Sequence, residues 1–169
     1  GLALASLGQL EKAIANYDRA ITLKPDHHEA LNNRGVARFD LGEIDTAISD
    51  YEAALAIEPA YAIAYQNKGL AIMEIGRYGE AISTFERALE LEPSFYEAWH
   101  YRGVALAALG YWDKAVVSYT KAVELDPTFH DAWYSMGCAL DRAGRYLEAL
   151  ASFDRAVATK LDDYDSWCA

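Results

Sequence analysis

The feature that most constrains this chain is a pattern that returns every 34 residues. With Tyr96 as position 1, glycine falls at position 8 as Gly1, Gly35, Gly69, Gly103 and Gly137, and at position 15 as Gly8, Gly42, Gly76, Gly110 and Gly144. Ten of the eleven glycines occupy these two sites, leaving only Gly79 elsewhere, so their placement is set by a repeated structure. Alanine recurs at position 20 (Ala13, Ala47, Ala81, Ala115, Ala149) and at position 27 (Ala20, Ala54, Ala88, Ala122, Ala156). Position 24 is always aromatic, as Tyr17, Tyr51, Phe85, Tyr119 and Phe153. Position 32 is Pro25, Pro59, Pro93 and Pro127, with Leu161 as the exception. A fixed period of this length marks a solenoid or array, because each unit buries its apolar face only against its neighbours.

Each unit reads as two amphipathic helices, A and B. Glycine at 15 ends helix A, since it accepts the left-handed conformation just past a helix end. Proline at 32 ends helix B, since the residue before a proline is biased away from helix. Gly at 8 and Ala at 20 are small where A and B cross closely. A start signal for helix A is expected from position 33 followed by position 2: Asp26/Glu29, Ser94/Glu97, Thr128/Asp131 and Asp162/Asp165 resemble capping boxes. The repeat beginning at residue 62 loses both members, with Ala60 and Ile63, so Ile63 stands out as a residue that displaced a capping acid.

Comparing copies exposes a paired change. Position 7 is Arg34, Lys68, Arg102 and Met136, while position 25 of the preceding repeat is Asp18, Glu52, Glu86 and Thr120. The base and the acid are present or lost together, which predicts ion pairs Asp18–Arg34, Glu52–Lys68 and Glu86–Arg102 between successive repeats. Exposed pairs contribute only ~0.2–1 kcal/mol each, so their role is to fix the stacking register.

Aromatic at 4, Gly at 8, Ala at 20, aromatic at 24, Ala at 27 and Pro at 32 resemble the tetratricopeptide repeat (TPR) family over the whole chain. Leu31 in place of the aromatic, Leu161 in place of proline and bases at position 7 are the departures. The resemblance implies an all-α fold, a right-handed α-solenoid of antiparallel helix pairs whose usual work is binding other proteins. The expected array covers 1–169: a partial repeat 1–27, full repeats 28–61, 62–95, 96–129 and 130–163, and the start of another at 164–169. Because the sequence opens and stops inside a helix A, it reads as a fragment of a longer array. Its raw ends, with Leu2 and Leu4 at one and Trp167 at the other, are expected to permit end-to-end self-association.

The resemblance also places the A helices on the concave face, with positions 2, 5, 6, 9, 12 and 13 toward the groove. Those positions vary from copy to copy. The expected partner-binding residues are Asn32, Asn33, Phe39, Ile63, Gln66, Asn67, Leu70, Met73, His100, Tyr101 and Tyr134. Asn33 and Asn67, one repeat apart, are suited to grip the backbone of an extended peptide, since a carboxamide both donates and accepts. Phe39, Ile63, Leu70 and Met73 form an apolar group around them, and such groups commonly mark contact sites. Family members that hold a terminal carboxylate do so with lysine at position 5 and asparagine at 9. This chain has neither, and acids such as Glu29, Glu97 and Asp131 suit a neutral or basic segment instead.

Other function classes are disfavoured. A net charge of −11 opposes binding to a phosphate backbone, so nucleic acid is not an expected partner. No apolar run approaches the roughly 18 residues of a membrane span, and no secretory signal opens the sequence, so a cytoplasmic location is expected. Cys138 and Cys168 have no CxxC spacing and read as free thiols. His27 and His28 lack the i, i+4 partner of a zinc helix; His100 and His130, with Cys138 and Cys168, fall in successive A helices, where a metal site is geometrically conceivable but solvated or packed side chains are the default; and the glycines form no phosphate loop. No metal, cofactor or catalytic site is expected. The leading reading is a non-catalytic scaffold that binds a peptide or partner helix in the groove. The alternative is a regulatory or self-association TPR segment of a larger multidomain protein whose catalytic domain lies outside this sequence.

Overall fold

The computed structural model describes residues 9–167, with side chains described for residues 9–160. Among them are nine helices and no strand: α1 (Leu10–Leu23), α2 (His28–Asp40), α3 (Ile44–Ile57), α4 (Ala62–Glu74), α5 (Tyr78–Leu91), α6 (Tyr96–Ala108), α7 (Trp112–Leu125), α8 (His130–Arg142) and α9 (Tyr146–Trp167). Gly1, Leu2, Leu4, Gly8 and Cys168, singled out above, lie outside the described residues. The chain divides between Leu91 and Glu92 into two compact units. In the first, α2/α3 and α4/α5 are antiparallel hairpins, α1 packs on α2 and α3 on α4. In the second, α6/α7 and α8/α9 are hairpins and α7 packs on α8. Within each unit successive A helices also touch directly, α2 with α4 and α6 with α8.

The two glycine positions have different physical roles. Gly42, Gly76, Gly110 and Gly144 have φ of 80°, 76°, 79° and 78°. At Gly42 the chain closes a Schellman motif: the Gly42 amide donates to the Phe39 carbonyl and the Glu43 amide to the Arg38 carbonyl. The other three turns repeat this pattern, through Arg77 to Ile72, Tyr111 to Leu106 and Arg145 to Leu140. Position 8 is instead a question of space. A Cβ on Gly35 would lie 2.6 Å from Tyr51, and on Gly103 it would lie 2.5 Å from Tyr119. The small residue of helix A therefore seats the aromatic ring of helix B, and the alanines at 20 and 27 are buried, except Ala20, which is half-buried.

The stacking pairs are found inside the first unit. Arg34 Nη1 lies 2.7 Å from Asp18 Oδ1, and Lys68 Nζ lies 2.8 Å from Glu52 Oε1. Where base and acid are both replaced, the Thr120 hydroxyl donates to Met136 Sδ at 3.6 Å. The third expected pair, Glu86–Arg102, joins residues of different units and stays an expectation. Arg34 does more than was expected of it. Its Nε and Nη2 donate to the two oxygens of buried Asp50 at 2.9 and 2.5 Å, and Arg38 adds a third contact at 2.8 Å. These bonds, with Asp50 contributing most, raise the Arg34 pKa against the opposing effect of burial.

Two expectations about helix ends are corrected. The A helices start at position 1, after His27, Tyr61, Phe95 and Phe129, and no side chain caps them. The polar residues of position 33 lie in the preceding turn, too early to cap, and bond backward. The Thr128 amide donates to Asp126 Oδ1 at 2.9 Å and the Ser94 hydroxyl to Glu92 Oε1 at 2.6 Å. The Ala60 amide makes the same backward bond to Glu58 Oε1, at 3.1 Å, so the 62–95 repeat lacks nothing its neighbours have. Ile63 is therefore not the replacement of a capping acid. The Asp162/Asp165 pair falls within α9, with its side chains outside the described residues.

The second correction concerns Leu161. Four B helices end before a proline turn and span 14 residues each, whereas α9 runs 22 residues to Trp167. Without proline at position 32 nothing forces the chain out of helix. The expected break before residue 164, and the start of another helix A there, do not form.

Candidate functional site

Candidate binding residues lie on the A helices, and each unit presents its own set. In the first unit, α2 and α4 bring three carboxamides into one chain of hydrogen bonds. Asn67 Nδ2 donates to Asn32 Oδ1 at 3.0 Å, and Asn32 Nδ2 donates to Asn33 Oδ1 at 3.4 Å. Asn32 is buried, while Asn33 and Asn67 are half-buried. Among the described residues the Asn33 amide nitrogen and the Asn67 carbonyl oxygen make no hydrogen bond. The ladder thus ends in a free donor on one repeat and a free acceptor on the next. Asn67 Nδ2 and Asn33 Oδ1 each use one of two hydrogen-bonding positions in the ladder, since a carboxamide carries two N–H donors and two acceptor lone pairs.

The apolar group around the ladder separates into two kinds. Ile63 is exposed, and Leu70 and Met73 are half-buried. Phe39, half-buried as well, packs with Val36, Ile44 and Ile48 against the core formed by Ala47, Tyr51 and Ala71. Gln66 is half-buried, with its side-chain oxygen buried and lacking a hydrogen-bond partner.

In the second unit position 5 is corrected most clearly. His100 is buried, edge-on to Phe129 at 5.0 Å and to Tyr101 at 5.2 Å, and tilted to Tyr119 at 5.6 Å. Burial lowers its pKa to about 4, against a smaller opposing effect of Asp131. A neutral, ring-packed imidazole belongs to the interior of the repeat stack and not to an open groove. Asn32 shares position 5 and is buried likewise. Tyr101 is half-buried, and Tyr134 is exposed at the mouth of a cleft of about 650 Å³ between α8 and α9. Position 5 is buried at Asn32 and His100, where a later A helix of the same unit packs, and exposed at Tyr134. The 34-residue period does not reveal this, since it does not say how deeply neighbouring positions such as 5 and 6 are covered.

Sequence comparison settles the family. A TPR-repeat profile matches residues 1–42 and 35–76, and tetratricopeptide-repeat profiles match 67–128 and 118–151. The chain belongs to the tetratricopeptide repeat family. Solved TPR structures resemble it over nearly its full length. A crystal structure of MamA is 26% identical, covers 96% of this chain and 95% of its own, and superposes with a TM-score of 0.87. MamA from Desulfovibrio magneticus RS-1 (residues 41 to the end) is 21% identical over 95% of this chain and 91% of its own, with a TM-score of 0.86, a likeness of fold. YrrB, described as a TPR protein with an unusual peptide-binding site, is 26% identical over 95% of this chain and 82% of its own, with a TM-score of 0.76. No curated protein matches the chain in sequence. The fold is accordingly the all-α TPR solenoid. Among the described residues no TPR helix is long and apolar enough to cross a membrane.

Proposed function

We propose that this chain is a TPR interaction scaffold, acting through the repeats 28–61, 62–95, 96–129 and 130–163, and that its first unit binds an extended peptide across α2 and α4. The carboxamide ladder carries the reading: it leaves a donor on Asn33 and an acceptor on Asn67. An extended peptide offers the complementary pair, a carbonyl and an amide, on one edge of its backbone. Ile63, Leu70 and Met73 supply apolar contact beside that edge, and Met adapts to side chains of different shape. Tyr101, at the same repeat position as Asn33 and Asn67, offers the second unit's A face an aromatic contact. Exposed Glu29 on α2 favours a neutral or basic segment over one ending in a carboxylate. The peptide-binding site of YrrB supports a peptide as the ligand class. The role is non-catalytic.

The test is to pan a random dodecamer library on the chain and measure selected peptides by fluorescence anisotropy. Replacing Asn33 and Asn67 together by alanine removes two hydrogen bonds worth ~0.5–1.5 kcal/mol each, so affinity is expected to fall about tenfold or more. Unchanged affinity in the double variant sinks the ladder as a binding site.

A further inference from the structure

Asn32 is the most enclosed member of the carboxamide ladder, 3% exposed where Asn33 and Asn67 are half-buried. Both of its polar atoms are engaged: Oδ1 accepts from Asn67 Nδ2 at 3.0 Å, and Nδ2 donates to Asn33 Oδ1 at 3.4 Å. A carboxamide carries unlike atoms on its two branches, so a hydrogen bond made by one branch fixes what the other presents. With its nitrogen turned to α2, Asn67 holds its carbonyl oxygen on the opposite branch. Turning Asn67 alone would set that oxygen against Asn32 Oδ1, two acceptors with no proton between them. Turning Asn32 as well would set its oxygen against Asn33 Oδ1. The ladder therefore reverses only as a whole, and Asn67 cannot adjust by itself to a mismatched ligand.

The second unit lacks this link. His100 takes position 5 of α6, and its buried Nδ1 has no hydrogen-bond partner. Ser135 stands at position 6 of α8, as Asn67 does in α4, and is hydrogen-bonded to Tyr119 instead. Position 5 thus joins α2 to α4 by a side-chain hydrogen bond, whereas among the described residues it does not join α6 to α8.

We propose that Asn32 is a positioning residue that gives the peptide site its polarity, by holding Asn67 so that an acceptor faces the ligand there. This role presupposes the peptide site described above and adds a requirement on its ligand. The peptide residue opposite Asn67 must carry a backbone N–H, so proline and N-methylated residues are excluded at that point. An asparagine that only packed α2 against α4 would alter the affinity of every peptide alike.

The probe is a dodecamer selected from the random library on the full chain, remade with each backbone amide in turn replaced by an ester, which removes one N–H and keeps the shape. One ester is expected to bind about tenfold more weakly than its amide parent, since it loses a hydrogen bond and sets an oxygen against Asn67. In Asn67→Ala that difference should shrink to about twofold or less, which assigns the peptide position. Asn32→Leu, close to asparagine in volume, frees Asn67 to turn its nitrogen toward the ester, and the difference should shrink likewise with native circular dichroism retained. Asn32→Ala serves in its place should the leucine variant not fold. Asn32→Asp keeps an acceptor toward Asn67 and should keep the difference. A tenfold difference that survives in Asn32→Leu overturns the positioning role and leaves the peptide site standing. So does a difference lost equally in Asn32→Asp, because packing and not the acceptor would then hold Asn67. If no ester position depends on Asn67, the peptide site itself is contradicted, and the role of Asn32 falls with it.

Discussion

At Asp50 a carboxylate is buried and held by two arginines, whereas Asp18 reaches one of the same arginines from a half-exposed position. The two acids should therefore differ sharply in what they contribute. Asp50→Ala leaves Arg34 and Arg38 charged and partly buried without their main partner, and is expected to cost about 3 kcal/mol. Asp18→Ala removes a solvent-screened contact and is expected to cost about 0.5 kcal/mol. Urea unfolding monitored by circular dichroism distinguishes them, and equal losses would contradict the assignment of Asp50 as the centre of the network. His100 sets a different dependence. Its folded pKa of about 4 lies below the ordinary histidine value of 6.5, so the unfolded chain takes up the proton first. Its contribution is complete above pH 6.5 and is lost as pH falls from there toward 4. His100→Phe is expected to flatten the stability profile in that window, and an unchanged slope would show that the imidazole is not buried neutral.

At the scale of elements, the proline at position 32 decides where a B helix stops. Leu161→Pro should end α9 near Lys160 and release the amides of 161–167 to fast hydrogen exchange, while the amides of α8 keep their protection. Unaltered protection at 161–167 would mean that something other than the missing proline holds that segment. The helices themselves were legible from the sequence because their boundaries rest on residues with singular backbone chemistry. Glycine at 15 takes a positive φ and proline at 32 breaks the helix, and both act locally. The capping boxes were misread because position 33 followed by an acid gives the right spacing in the wrong turn, and spacing does not show where the first helical residue falls. The Arg34–Asp50 contact had a readable signal that went unused. Position 23 is polar in every copy, as Asn16, Asp50, Thr84, Ser118 and Ser152, beside an invariably aromatic position 24. A polar residue so close to the core requires a partner, and Arg102 indeed reaches Ser118 at 2.7 Å.

For the whole molecule, a periodic sequence makes the scaffold plain and the ligand obscure, because the residues that repeat are those that pack. Variation points to the A face, yet it does not separate Asn33 from Asn32. Depth does, and depth depends on how far each helix is covered by the next. The proposed peptide contact is made by the two free ends of one carboxamide ladder. The chain's four asparagines make this directly observable, because Asn16 sits exposed on α1, away from the ladder, and serves as a control. The decisive measurement is a two-dimensional NMR titration of the ¹⁵N-labelled chain with a selected peptide, following the side-chain amide signals. The expected result is a shift of the Asn33 and Asn67 signals with that of Asn16 unmoved; saturation of the chain with peptide while Asn33 and Asn67 stay in place would contradict it.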